Sequence, residues 1–146
     1  MADGHLDHAP WYVWAACVFD CLDGFAARIL KVSSPIGKDL DSLADVVSFG
    51  VLPALFMYYH LSALNTPSGL AYVALLIAVC SALRLAVFNN DATQSDAFKG
   101  LPTPANTLFI TGLPFLFPYW PALQSPAVLI VITMLFSLLL VSRFEL

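Results

Sequence analysis

Charge is scarce in this sequence, and its absence is patterned. Asp, Glu, Lys and Arg make up 11% of the 146 residues, where a soluble domain carries about 25%. None of the four occurs in the 38 residues from Val46 to Leu83, nor in the 43 from Gly100 to Ser142. Such gaps exclude an ordinary water-soluble fold. Lys and Arg are also missing from Met1 to Trp14, so the basic start of a secretory leader is absent and none is expected. The three cysteines, Cys17, Cys21 and Cys80, form no recognisable metal or redox motif and read as small packing residues. No nucleic-acid partner is expected.

What fills the sequence is apolar: 60% of residues are hydrophobic and the mean hydropathy is +0.81. A helix needs about 20 apolar residues to cross a bilayer, so each uncharged run can hold two crossings. Turn residues break the first run at Asn65-Thr66-Pro67-Ser68-Gly69 and the second between Pro118 and Pro126. The expected fold is therefore all-α: one polytopic membrane helix bundle over residues 1–146, embedded in the lipid bilayer. Five transmembrane helices are predicted, at about 10–31, 39–61, 69–89, 103–120 and 125–143. With five crossings, all six basic residues (Arg28, Lys31, Lys38, Arg84, Lys99 and Arg143) fall on one side. The positive-inside rule makes that side cytoplasmic, with the N-terminus outside. Trp11, Trp14, Tyr58, Tyr59, Tyr119 and Trp120 then gather toward the opposite interface and read as an aromatic belt.

Half of the ten acidic residues lie between Asp20 and Asp45. Asp20 and Asp23 are three apart and Asp41 and Asp45 four apart, so each pair shares one helix face. Gly24 and Ala27 fall on or beside the first pair's face and leave room for a ligand near the backbone. A short basic loop containing Arg28, Lys31, Gly37 and Lys38 joins the two helices and folds the pairs toward each other. Aspartates at membrane depth are costly and are functional candidates by default. Four that face each other also repel, and a hard divalent cation, Mg²⁺ or Mn²⁺, answers both problems. A pair of such ions would have a chemical use in clamping phosphate oxygens. The plainer alternative is a set of interfacial acids neutralised by Arg28, Lys31 and Lys38.

The eight residues Asp20, Asp23, Gly24, Ala27, Arg28, Gly37, Asp41 and Asp45, at their spacings across 26 positions, resemble the signature of the CDP-alcohol phosphotransferase family. That resemblance implies attack by an alcohol on the diacylglycerol-bearing phosphate of a CDP-linked lipid, releasing CMP. It implies metal binding by Asp20, Asp23 and Asp41, and a general base at Asp45 that also touches metal. Gly24, Ala27, Arg28 and Gly37 would shape the nucleotide and phosphate site. The segments 42–50, 84–89 and 100–106 further resemble the serine-using branch, which points to CDP-diacylglycerol and L-serine as substrates and phosphatidylserine as product. Val87 departs from that branch, where a basic residue is expected.

Arg84 is read either as the carboxylate-binding group for serine or as a topological anchor, with Lys38 a weaker candidate of the same kind. Asn106 could bond the substrate or a neighbouring helix. A sibling enzyme using glycerol 3-phosphate or an inositol phosphate is the alternative within the class. A cation-binding or cation-conducting membrane protein is the alternative outside it. The resemblance also implies a homodimer and a family bundle of six or more helices, and the expected location is a bacterial inner membrane with the active site on the cytoplasmic side that the basic residues mark. This chain is accordingly expected to lack an N-terminal helix that its relatives carry.

Overall fold

The computed structural model describes residues 8–30, 34–64, 66–90 and 101–142, and among them every regular element is helical. Five helical rods follow one another. The first is α1 (Ala9–Leu30). The second runs from α2 (Pro35–Asp45) through a π-helical segment (Val46–Val51) into α3 (Leu52–Ala63). The third begins as α4 (Ser68–Ala71), tightens to a 3₁₀ turn (Tyr72–Ala74) and continues as α5 (Leu75–Asn90). The last two are α6 (Thr103–Leu116) and α7 (Pro126–Val141). These rods match the five predicted segments in position.

Two of them, Asp39–Ala63 and Gly69–Asn90, are long and apolar enough to cross a membrane, while Pro126–Val141 is apolar but shorter. A third or less of each long span is buried, unlike a core helix of a soluble protein. The remaining surface is covered with large apolar side chains such as Phe19, Val131 and Leu138, each more than 60% exposed. A surface of that kind has lipid as its solvent. The interior cluster joins Ala54, Met57 and Leu61 with Ala71, Ala74, Ile77, Ile110, Leu113 and Leu129, so α3, the third rod, α6 and α7 share one core.

The ends of the rods follow from local chemistry. Ser34 caps α2, its Oγ accepting from the Gly37 N–H at 3.0 Å, and Pro35 occupies the first turn where its missing N–H does no harm. α6 stops at Leu116 rather than near residue 120: Pro118 has no N–H to offer the Pro114 carbonyl, which takes that of Phe117 at 3.3 Å instead, and Trp120, just before Pro121, leaves the helical region.

The π segment was not foreseen, and Pro53 explains it. In an α-helix the Phe49 carbonyl would accept from residue 53, but proline has no N–H and its ring crowds the carbonyl four residues back. The chain widens instead: the Leu52 N–H reaches the Val47 carbonyl five residues back. The Phe49 carbonyl receives the Thr107 hydroxyl of α6 at 2.9 Å. On the other side of the segment, Gly50 packs so closely on α5 that an added Cβ would lie 3.0 Å from the Ser81 Cβ. Small residues at such crossings let membrane helices approach.

Thr107→Val is expected to leave the Phe49 carbonyl buried without its donor, at a cost of about 1–3 kcal/mol. In a Pro53→Ala background residue 53 regains an N–H, so the same substitution should cost measurably less. Thermal unfolding of the two single variants and the double variant in detergent checks this, and equal costs in both backgrounds would dismiss the proline explanation.

Candidate active site

α6 positions both halves of the acidic site. Its Thr111 Oγ1 accepts from the Trp14 indole N–H of α1 at 3.1 Å and donates to the Thr107 carbonyl at 2.7 Å. Thr107, one turn away, has its one hydroxyl hydrogen shared between the carbonyls of Phe49 and Thr103, each at 2.9 Å. Phe115 adds ring contacts to Trp11 and Trp14 with centroids 5.7 and 5.6 Å apart. The pairing runs antiparallel, since Trp11 lies beside a residue further along α6 than Trp14 does. α1 packs chiefly on α6, and the π segment packs on α6 as well as on α5. Asp20 lies six residues beyond Trp14, about 9 Å along α1 at 1.5 Å per residue, and Asp45 immediately precedes the π segment. Two helices docked on a common third are thereby brought together at their acidic ends.

The result is a cluster. Asp20, Asp23 and Asp41 each place a carboxylate oxygen within 4.8 Å of the others. Asp45 stands beside this triad, its carboxyl within hydrogen-bonding reach of Asp20. Asp20 and Asp45 are half-buried, whereas Asp23 and Asp41 are exposed. Both spacing-based pairs therefore meet as expected, with three residues forming the tight group and Asp45 flanking it.

The residues fit a divalent cation. The donor set is entirely carboxylate oxygen, which hard cations prefer. In an octahedral Mg²⁺ shell adjacent ligand oxygens lie about 2.9 Å apart and opposite ones about 4.1 Å, so three oxygens within 4.8 Å of one another reach one ion once their side chains draw together. Asp45 Oδ1 is buried without a hydrogen-bond partner among the described residues, an acceptor left over for a ligand.

The surrounding residues divide. Gly24 is open, with nothing within 4 Å of an added Cβ, so no packing contact among the described residues requires glycine there. Gly37 has a local reason to be glycine: a Cβ there would meet the Ser34 hydroxyl at 2.9 Å and displace the helix cap. The side chains of Ala27, Arg28 and Lys38, and the whole of Lys31, lie outside the described residues. Arg84 is half-buried on α5 and its Nε has no partner among the described residues. Ser42, between Asp41 and Asp45, accepts from Asn89 Nδ2 at 2.7 Å, which ties the end of α5 to the acidic helix.

Three roles escaped sequence reasoning. Trp14 is a clamp between α1 and α6 as well as an aromatic near the far end. Thr107 and Thr111 connect three elements by hydrogen bonds, and the four-residue spacing of Thr103, Thr107 and Thr111 within an apolar helix is the signal that would have found them. Ser42 is a hydrogen-bonding residue as well as a small one. Of the cysteines, Cys17 packs in the interior but Cys21 is exposed, because only one of the two turns toward the neighbouring helix.

Residues 1–141 match the CDP-alcohol phosphatidyltransferase family, and the chain belongs to that family. It is 43% identical over 119 residues to the CDP-diacylglycerol–serine O-phosphatidyltransferase of Mycobacterium leprae, covering 74% of this chain and 39% of that protein. The protein of the same name from Methanocaldococcus jannaschii is 42% identical over 101 residues, covering 68% of this chain and 47% of its own length. That from Bacillus subtilis is 30% identical over 141 residues, covering 97% and 75%. The chain thus spans less than half the length of the first of these relatives. No solved structure matches it.

The three carboxylates repel one another when no cation is bound. Asp23→Asn is therefore expected to raise or leave unchanged the unfolding temperature in chelator, and to lower it relative to the parent in excess Mn²⁺, because a ligand of the native state stabilises by mass action. Unfolding curves in EDTA and in Mn²⁺ read this crossing, and the same ranking in both conditions would argue against a cation site.

Proposed function

We propose that this chain transfers a phosphatidyl group from CDP-diacylglycerol to L-serine, giving phosphatidylserine and CMP. The observation that carries the reading is the convergence of Asp20, Asp23 and Asp41 within 4.8 Å, with Asp45 beside them, from an eight-residue signature split over two helices. The names of the relatives support serine as the acceptor.

In this reading Asp20, Asp23 and Asp41 hold Mg²⁺ or Mn²⁺, with Asp45 a further ligand and two ions in all. Bound there, the cations supply neutralising charge to the pyrophosphate of the donor. Asp45 takes the proton of the serine hydroxyl. The freed oxygen forms a bond to the phosphorus that bears diacylglycerol, the bond from that phosphorus to the CMP oxygen breaks, and CMP leaves with the electron pair. Open backbone at Gly24 lets the nucleotide approach, and Ala27, Arg28 and Gly37 complete its site. Arg84, with Lys38 nearby in sequence to the acids, receives the serine carboxylate. All five rods cross the bilayer, with the acidic end at the cytoplasmic face of a bacterial inner membrane. A homodimer belongs to the same reading and rests on the resemblance alone.

The test is CMP release and lipid product formation by the full chain, reconstituted with CDP-diacylglycerol, Mn²⁺ and each of serine, glycerol 3-phosphate and inositol phosphate. Product with serine alone is expected, with reversible loss in EDTA. Turnover that persists in excess chelator would remove the metal from the scheme, and product with a phosphorylated acceptor alone would reassign the substrate. Asp45→Asn should cut kcat by about 10²-fold or more while CDP-diacylglycerol binding stays within a few-fold, since proton removal matters only on the way to the transition state. Loss of nucleotide binding in step with rate would make Asp45 chiefly a ligand. Arg84→Lys keeps the charge but loses the fork, and should raise the KM for serine more than that for CDP-diacylglycerol.

A further inference from the structure

Eight buried side-chain polar atoms lack a hydrogen-bond partner among the described residues, and five of them belong to Asp45, which precedes the π segment, and to residues of α5 and α6, the helices that pack on it. They are Asp45 Oδ1, Ser81 Oγ, Arg84 Nε, and both Nδ2 and Oδ1 of Asn106. Native interiors hold few such atoms, so their gathering around one turn of helix asks for a cause.

Asn106 is the most informative. Its side chain is fully buried, yet neither end of the carboxamide finds a partner among the described residues. Its neighbours fix where it lies. Thr107, the next residue, bonds the Phe49 carbonyl, so Asn106 sits at the depth of the π segment, which Asp45 immediately precedes. Ser81 faces the same segment from α5 through its close contact with Gly50, and Arg84 lies one turn nearer the acidic end of that helix. Asn106 also shares a helix face with Ile110 and Leu113, which point into the core shared by α3, the third rod and α7. Its amide is therefore directed into the bundle and away from the lipid.

A structural asparagine at such a place would bond a neighbouring helix, as Thr107 and Thr111 do. Asn106 does not. The orphan atoms around the segment have a mixed character: a carboxylate oxygen, a guanidinium N–H, a hydroxyl, and a carboxamide that offers both a donor and an acceptor. A small zwitterion that carries a hydroxyl complements all of them.

We infer that Asn106 is a specificity-determining residue that grips the amino-acid head of the acceptor, its Nδ2 donating to the carboxylate alongside Arg84 and its Oδ1 accepting from the ammonium. The inference rests on the reading of L-serine as acceptor. With the head held between Arg84 and Asn106, the hydroxyl of the ligand is directed toward Asp45. Because these atoms are sealed in the unliganded packing, the acceptor enters by displacing the side chains that cover them.

The test compares the full-length parent, Asn106→Leu and Asn106→Asp in reconstituted membranes, with L-serine and CDP-diacylglycerol varied separately. Asn106→Leu should raise the KM for serine about tenfold or more and leave that for CDP-diacylglycerol within twofold. Its unfolding temperature should be equal or higher, since an apolar group of similar shape replaces unsatisfied polar atoms. Asn106→Asp, which sets a carboxylate against that of serine, should be the weaker serine binder of the two. An unchanged serine KM in Asn106→Leu would overturn the inference, and so would a fall in unfolding temperature with both KM values rising together. If the parent itself makes no phosphatidylserine but accepts another alcohol, the acceptor reading fails first and the inference with it, an outcome the parent measurement alone identifies.

Discussion

A short hydrogen-bonded path through α6 holds the acidic site together. The Trp14 indole donates to Thr111, Thr111 to the Thr107 carbonyl, and the Thr107 hydroxyl to the Phe49 carbonyl. In an apolar interior a polar group without a partner is costly, so each of these groups is strongly held to the position where its partner lies. The path fixes the offset of α1 along α6 and of the π segment against α6. The offset of Asp20 from Asp45 follows from those two. Apolar packing alone specifies such offsets weakly, because one layer of aliphatic side chains resembles the next and lipid competes equally for all of them.

When ionised, the three clustered carboxylates contribute nothing favourable to this assembly by themselves. Three carboxylates within 4.8 Å of one another oppose the approach of α1 to α2, and the contacts of α1 lie chiefly with α6 at its other end. Stability and chemistry are thus separated along each helix: aromatic and threonine contacts toward one end, repelling carboxylates toward the other. Such a separation is what a cation-binding site of this kind requires, since the scaffold must tolerate the site in the absence of its ligand.

Much of this was legible in the sequence, for identifiable reasons. The five rods could be read because charge is excluded from Val46–Leu83 and Gly100–Ser142 and because proline and glycine mark the breaks. The acidic cluster could be read because three- and four-residue spacings fix a helix face regardless of tertiary context. What stayed hidden depends on partners distant in sequence. Trp14 and Thr111 are 97 residues apart, and nothing local distinguishes a tryptophan that anchors at an interface from one that donates to another helix. The Phe49 carbonyl needs a donor only because of Pro53, and that the donor is Thr107 is a fact of packing. Gly37 shows the opposite case, where a residue carried by the family signature also has a local reason, the Ser34 cap, that could have been read from the sequence alone.

The widened turn at Val46–Val51 has a consequence for the phase of the second rod. In a continuous α-helix the azimuth of Asp41 and Asp45 would be locked to that of Met57 and Leu61 by a constant 100° per residue. One turn with a different step uncouples them, so the carboxylates can look toward α1 while the apolar residues beyond look into the core. A wheel drawn through residues 39–63 with a single period therefore misplaces one end or the other. Insertions and deletions inside this turn act as rotations: losing one residue would swing the aspartates by roughly a quarter turn about the rod while every core contact beyond Leu52 stayed in place.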